Sequence, residues 1–231
     1  MKKFKLFMLL LLAIFSLNCT QNRTAKPRQL QPNLPIIGLL AYEGVLTTEL
    51  TAPLDVFTKL SEDGKKLFNV IIITEKKAPI ISEEGLTIIS DFTYENCPKL
   101  DVLFVPSSYD VSTEVNNTKT INFIVSQNKN AKHIVSNCAG AQLIGKSGIA
   151  DGKKIVTWIG GGIDLQKNYP KLIVQDDSKI IFVEDGKFSS SNGNLATYIS
   201  ALELLEKLSN KEHRKYVESY LYLDQLKNWK P

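Results

Sequence analysis

Cys138 is the residue whose neighbours best suit it to chemistry. The stretch HIVSNCAGAQLIGKSGIA, residues 133–150, opens on a short β-favouring run from His133 to Ser136 and passes through Asn137, which tolerates unusual backbone. Ala139, Gly140 and Ala141 then leave room for a sharp reversal before Leu143 and Ile144 resume an apolar face. That order of strand, tight turn and helix is the layout of a nucleophile elbow, with a thiol in place of the usual serine. A cysteine there would stand at a helix N-terminus, where free N–H groups and the helix dipole favour the thiolate. The alternative reading is a buried structural thiol. Glu49 is the second candidate. It is the only acid besides Glu43 in the loop after the first apolar run, and a carboxyl beside a thiolate can hold or exchange its proton. Its alternative role is a negative charge near the start of a helix.

The elements that must position these groups are legible as apolar runs. Ile36 to Ala41, Phe68 to Thr74, Val102 to Val105, His133 to Ser136 and Ile155 to Thr157 have strand length, and amphipathic segments alternate with them. Continuous apolar strands separated by helices predict a parallel sheet covered on both faces. After the first strand comes a loop over Tyr42 to Glu49, with a helix opening at Pro53. Pro79 to Ser90 reads as a β-hairpin around Glu83, Glu84 and Gly85, and Asp185 with Gly186 marks another. Two closing helices are expected, 194–208 and 211–226, with Tyr216, Tyr220 and Leu223 as a stripe for the core or for a dimer face. In an open parallel sheet, ligands bind outside the carboxyl ends of the strands. Glu49, Ser107 with Ser108, Cys138 and Trp158 each follow a strand and should share that rim. The run Gly160, Gly161 and Gly162 lacks the spacing of a nucleotide loop and is better explained as a loop-to-helix turn.

Residues 1–18 read as a secretion signal, with Lys2, Lys3 and Lys5 ahead of an apolar run too short to span a bilayer. Cys19 follows in a setting that resembles a bacterial lipobox, although Ser16 and Asn18 replace the usual residues, so acylation of Cys19 and anchoring at the cell envelope are expected. Residues 19–35, with Pro27, Pro32 and Pro35, form a tether, and 36–231 a single domain. Without the signal the chain holds 25 basic and 24 acidic residues, and no basic patch with interleaved aromatics suggests nucleic acid. Cys97 and Cys138 are expected to remain free thiols. No residue pattern calls for a metal or another cofactor.

Five segments in register resemble the DJ-1/PfpI superfamily of the class I glutamine amidotransferase-like fold, most closely its isonitrile-hydratase-like branch. They are ELTAP (49–53) ahead of DVF (55–57), GLT (85–87), LDVLFVP (100–106), SNCAG (136–140) and GIADGK (148–153). The resemblance implies a flavodoxin-like αβα sandwich with a mostly parallel central sheet and a small β-hairpin excursion, frequently as a homodimer. It carries the nucleophile or oxidation-sensor role to Cys138 and the acid role to Glu49. Oxyanion donors would be the backbone N–H groups of Ala139 and Ser108, with Ser107 and Trp158 in the pocket. Two departures matter: Trp158 lies where members with a catalytic histidine carry it, and Ala139 stands where the hydratases have threonine.

Two functions compete on this basis. One is an enzyme using Cys138 on a small electrophile, a reactive carbonyl or isonitrile, as a hydratase, lyase or hydrolase. The other is a non-catalytic, lipid-anchored protein that senses oxidants through Cys138 or holds a ligand. A peptidase is poorly served, because expelling an amine needs a strong base and His133 and His213 are badly placed for it.

Overall fold

The structure, a computed structural model, describes residues 28–226. The signal segment, Cys19 and the first part of the tether lie outside the described residues. In chain order the elements are β1 (Ile36–Leu40), α1 (Thr47–Phe57), β2 (Asn69–Thr74), β3 (Ile80–Ile81), β4 (Thr87–Ile88), β5 (Phe92–Thr93) and β6 (Val102–Val105). They continue as α2 (Ser112–Asn116), α3 (Thr118–Asn128), β7 (His133–Asn137), α4 (Gly140–Ser147), β8 (Lys154–Ile155), α5 (Gly162–Asn168) and β9 (Ile173–Val174). The chain closes with β10 (Phe182–Asp185), β11 (Phe188–Ser191), α6 (Ala196–Leu208), α7 (Lys211–Tyr220) and α8 (Leu223–Leu226).

One sheet runs through the molecule in the order β10-β11-β7-β6-β1-β2-β5. Every pairing in it is parallel except that of β10 with β11 at one edge. β2 and β6 are buried along their whole length, which explains the apolar runs Val70 to Ile73 and Val102 to Val105. α1 packs with α6, and α6 with α7, while α3, α4 and α5 pack in a second group, giving the αβα sandwich expected from sequence. β3 and β4 pair antiparallel outside the sheet, the predicted hairpin excursion.

Four details depart from the sequence reading. First, the helix after β1 begins at Thr47, not at Pro53, which lies inside it. The turn ahead of the proline closes through Glu49 N–H donating to the Leu46 carbonyl, so Glu49 rides on the first helical turn rather than in the loop. Second, β8 pairs only with β9, and the strand beside β7 is β11. A side chain ties β8's continuation to the main sheet, Val156 N–H donating to Ser190 Oγ at 2.8 Å. Third, the last predicted helix splits at Leu221 and Tyr222, the latter with φ +59°. Its buried residues are His213 and Val217; Tyr216 and Leu223 of the expected stripe pack half-buried against the core, and only Tyr220, 57% exposed, stands out of it. Fourth, residues 28–35, read as the end of the tether, lie against β2. Gln31 N–H donates to Asn69 Oδ1 at 2.9 Å, and Arg28 Nη1 donates to the Val70 carbonyl at 3.1 Å.

Candidate active site

Cys138 occupies the turn between β7 and α4 with φ +50°, a conformation that L side chains rarely adopt. Such strain persists only where surrounding contacts over-determine it. Here both flanking peptide groups are pinned: Cys138 N–H donates to the Ser191 carbonyl at 3.0 Å, and the Cys138 carbonyl accepts from Thr157 Oγ1 at 2.8 Å. Gly140 lets the new helix begin hard against β6. A Cβ there would stand 2.3 Å from the Val105 carbonyl oxygen and 2.8 Å from that of Pro106. The elbow expected from sequence is therefore built, and it rests directly on the end of the neighbouring strand.

Glu49 is fully buried beneath the elbow. Ser107 N–H donates to its Oε2 at 2.7 Å and Asn194 N–H to its Oε1 at 3.2 Å. The loop after β11 brings the second donor, through Gly193 at φ +84° and Asn194 at φ +47°. A Cβ on Gly193 would lie 2.3 Å from both Cys138 Cβ and Glu49 Oε1, so these two atoms are separated by at most twice that distance. The bare backbone of Gly193 is what allows acid and cysteine to face each other.

The electrostatics follow from this closeness. Burial pushes the Glu49 carboxyl up to about 7, against the lowering effect of the Ser107 and Asn194 N–H groups. Burial also raises the Cys138 thiol, with the Glu49 charge second, while the Ser107 hydroxyl and the Ala139 N–H pull it back down. This corrects the expectation of a thiolate favoured outright by the helix N-terminus: desolvation and the neighbouring carboxylate outweigh it. Acid and thiol behave as a coupled pair in which ionising one group opposes ionising the other.

Above the pair lies a cavity of about 420 Å³. Ser107, Ser108, Cys138 and Trp158 line it, as the strand ends anticipated, and so does Ala139, which the family resemblance had named. Glu49 sits under its floor rather than in its wall. Ser108 Oγ is buried without a hydrogen-bond partner. Neither histidine reaches the cavity: His133 opens β7 at the end away from Cys138, and His213 lies on α7. Sequence reasoning missed Gly193 and Asn194, as well as Tyr109, Asp110 and Gln142 in the wall. The signal available for the first two was the SNGN run at 191–194 directly after a strand. The expectation that only the β8 segment would follow the elbow to the rim hid it. Among the described residues no group of histidine, cysteine and acids could hold a metal ion.

Comparison with known proteins agrees with this geometry. An isonitrile hydratase from Pseudomonas putida is 30% identical over 186 residues, covering 80% of this chain and 77% of that protein. A THiJ/PfpI family protein from Pseudomonas syringae superposes with a TM-score of 0.72 at 20% identity, over 90% of this chain and 84% of that one. DJ-1beta from Drosophila melanogaster gives 0.71 at 21% identity, over 82% and 98%. The profile of the DJ-1/PfpI family matches residues 36–207, which takes in β1 to the penultimate residue of α6 and the whole of the site. With the elbow cysteine and the buried glutamate on that shared frame, the chain belongs to the DJ-1/PfpI family.

Proposed function

We propose that the protein is a cysteine-dependent hydratase of small electrophiles, isonitriles first and reactive carbonyls second. The observation that carries this reading is the fully buried Glu49, held near neutrality against Cys138 under an open cavity. A carboxyl with a pKa of about 7 is suited both to give and to take a proton at neutral pH. The 30% identity to an isonitrile hydratase supports the substrate class. In the first step the Glu49 carboxylate takes the Cys138 thiol proton as Sγ adds to the isonitrile carbon and hands it to that carbon, forming the C–S bond of a thioformimidate. Glu49, again a carboxylate, takes a proton from water as the hydroxide adds to the same carbon, and passes it to the nitrogen. It then accepts the hydroxyl proton as the carbonyl forms and the C–S bond breaks. An N-substituted formamide leaves as Glu49 returns that proton to the sulfur, which restores the thiol and the carboxylate. The N–H of Ala139 and that of Ser108 are the donors assigned to the developing charge.

Purified protein should turn over a small alkyl isonitrile and, more weakly, methylglyoxal-type aldehydes, without cleaving casein-like peptides. Cys138→Ala should abolish this, and Glu49→Gln should lower kcat/KM by about 100-fold or more. Absent turnover, or turnover that survives Cys138→Ala, overturns the enzyme reading.

A redox-sensing role is favoured by one feature, the Ala139 N–H and Ser107 hydroxyl close enough to the sulfur to favour its ionised form, which would support a sulfinate. Peptide mapping after mild peroxide should then place the added oxygens on Cys138. Cys97, its thiol pushed up to about 12 by burial, should stay reduced. Location at the cell envelope through an acylated Cys19 rests on the short apolar segment ahead of that residue.

A further inference from the structure

We propose that the cavity is charge-selective: it admits small uncharged or ammonium-bearing substrates and turns away those carrying a carboxylate, with Asp110 at its lip as the specificity-determining residue. This rests on reading the cavity as the cysteine-centred substrate site. Among the described residues that line it, Asp110 is the only one with a formal charge, and no lysine, arginine or histidine is present. Asp110 is fixed in place, because its Oδ1 accepts the Ser112 N–H at 3.0 Å at the start of α2. Two more carboxyls stand behind the lining. Glu49 lies under the floor, and Glu83 reaches across from the β3–β4 hairpin so that its Oε1 accepts the Tyr109 N–H at 3.0 Å. The aromatic walls act in the same direction. Tyr109 is 78% exposed and Trp158 half-buried, and ring faces attract ammonium groups and repel anions.

The opposing feature is the N-terminus of α4, which aims partial positive charge at the sulfur. Its influence falls off within one helical turn, so it favours charge developing on the atom bonded to sulfur and not a carboxylate held further out. A substrate carboxylate about 6 Å from Asp110 in a solvent-like medium is disfavoured about threefold. The Glu83 carboxylate, the aromatic faces and Glu49 to the extent that it is ionised bring the discrimination to about tenfold.

The test reads the thiol directly, so it does not depend on turnover. Rates of Cys138 alkylation are measured with iodoacetamide, iodoacetate and an iodoacetamide bearing a trimethylammonium group. Each is divided by its rate with N-acetylcysteine amide, and peptide mass separates Cys138 from Cys97. The normalised iodoacetate rate should fall about tenfold below that of iodoacetamide at low salt, with the cationic reagent equal or faster and the gap narrowing in high salt. Asp110→Asn, close in shape and able to keep the bond to Ser112, should shrink the gap to about threefold, and Asp110→Lys should close or reverse it. Equal normalised rates in the wild type overturn the proposal, as does a gap unchanged in both variants. Either result leaves the hydratase reading standing, whereas missing turnover with a clear charge gap refutes only the hydratase.

Discussion

Glu49 keeps its proton to near neutrality because burial penalises its charged form more than two backbone N–H donors favour it. This makes the residue visible in stability as well as in rate. Its folded-state pKa of about 7 lies above the ordinary 4.5, so the folded protein binds this proton more tightly than the unfolded chain does. The resulting stabilisation is complete below about pH 4.5 and is lost as pH rises through about 7, a change of about 3 kcal/mol. Urea unfolding between pH 4.5 and 8 should show the wild type losing that amount relative to Glu49→Gln. Parallel curves for the two proteins would mean that Glu49 titrates normally. Gly193 is the other decisive residue at this scale. Alanine there combines φ +84° with a Cβ 2.3 Å from Cys138 and Glu49, so the pair must separate. Gly193→Ala should keep a native circular dichroism spectrum while kcat/KM drops by about 100-fold. Retained activity would show that the acid need not face the cysteine so closely.

At the scale of elements, the site is the meeting of three turns, each following a strand of the main sheet: β6, β7 and β11. The β6 turn supplies Ser107 N–H to Glu49, the β7 turn presents Cys138, and the β11 turn supplies Asn194 N–H. Tyr42 holds the first of these, its hydroxyl donating to the Pro106 carbonyl at 2.8 Å. α4 can lie against β6 only because Gly140 has no side chain, and the obstructing atoms are backbone carbonyls that cannot rotate away. Gly140→Ala should therefore cost about 2–3 kcal/mol, read as a lower urea midpoint at unchanged m-value, and it should slow Cys138 alkylation as the elbow shifts. An unchanged midpoint would show that α4 can slide on β6. Away from the cavity lining, Arg214 joins α7 to α6 through ion pairs to Glu203 and Glu206 and a third pair to Glu218 on its own helix. The cluster ties α7 to α6.

For the whole molecule, the site and the first described residues lie toward opposite ends of the strands. Arg28 and Gln31 are bonded at the amino end of β2, whereas the cavity lies beyond the carboxyl ends of the strands. The proposed attachment through Cys19 is tested by substituting that residue. Cys19→Ala should move the protein out of the membrane fraction or block its processing. Unchanged fractionation, together with no acyl mass on the wild-type N-terminus, would rule the anchor out.

By itself the sequence determined the fold class, the parallel strands β1, β2, β6 and β7, both hairpins and the elbow. These follow from local signals, in which unbroken apolar runs, a two-residue turn and small residues around Cys138 each constrain only their own stretch of chain. It also marked Glu49 and Cys138 as candidates from residue type and position. Only the tertiary structure decided that β11 rather than β8 lies beside β7, because a ladder partner is chosen by long-range packing that no local pattern encodes. That choice brings Gly193 and Asn194, more than 140 residues along the chain from Glu49, against its carboxyl. The thiol's balance was likewise out of reach of the sequence. The helix N-terminus could be read from the turn, but desolvation depends on everything packed around the sulfur, and here it outweighs the dipole.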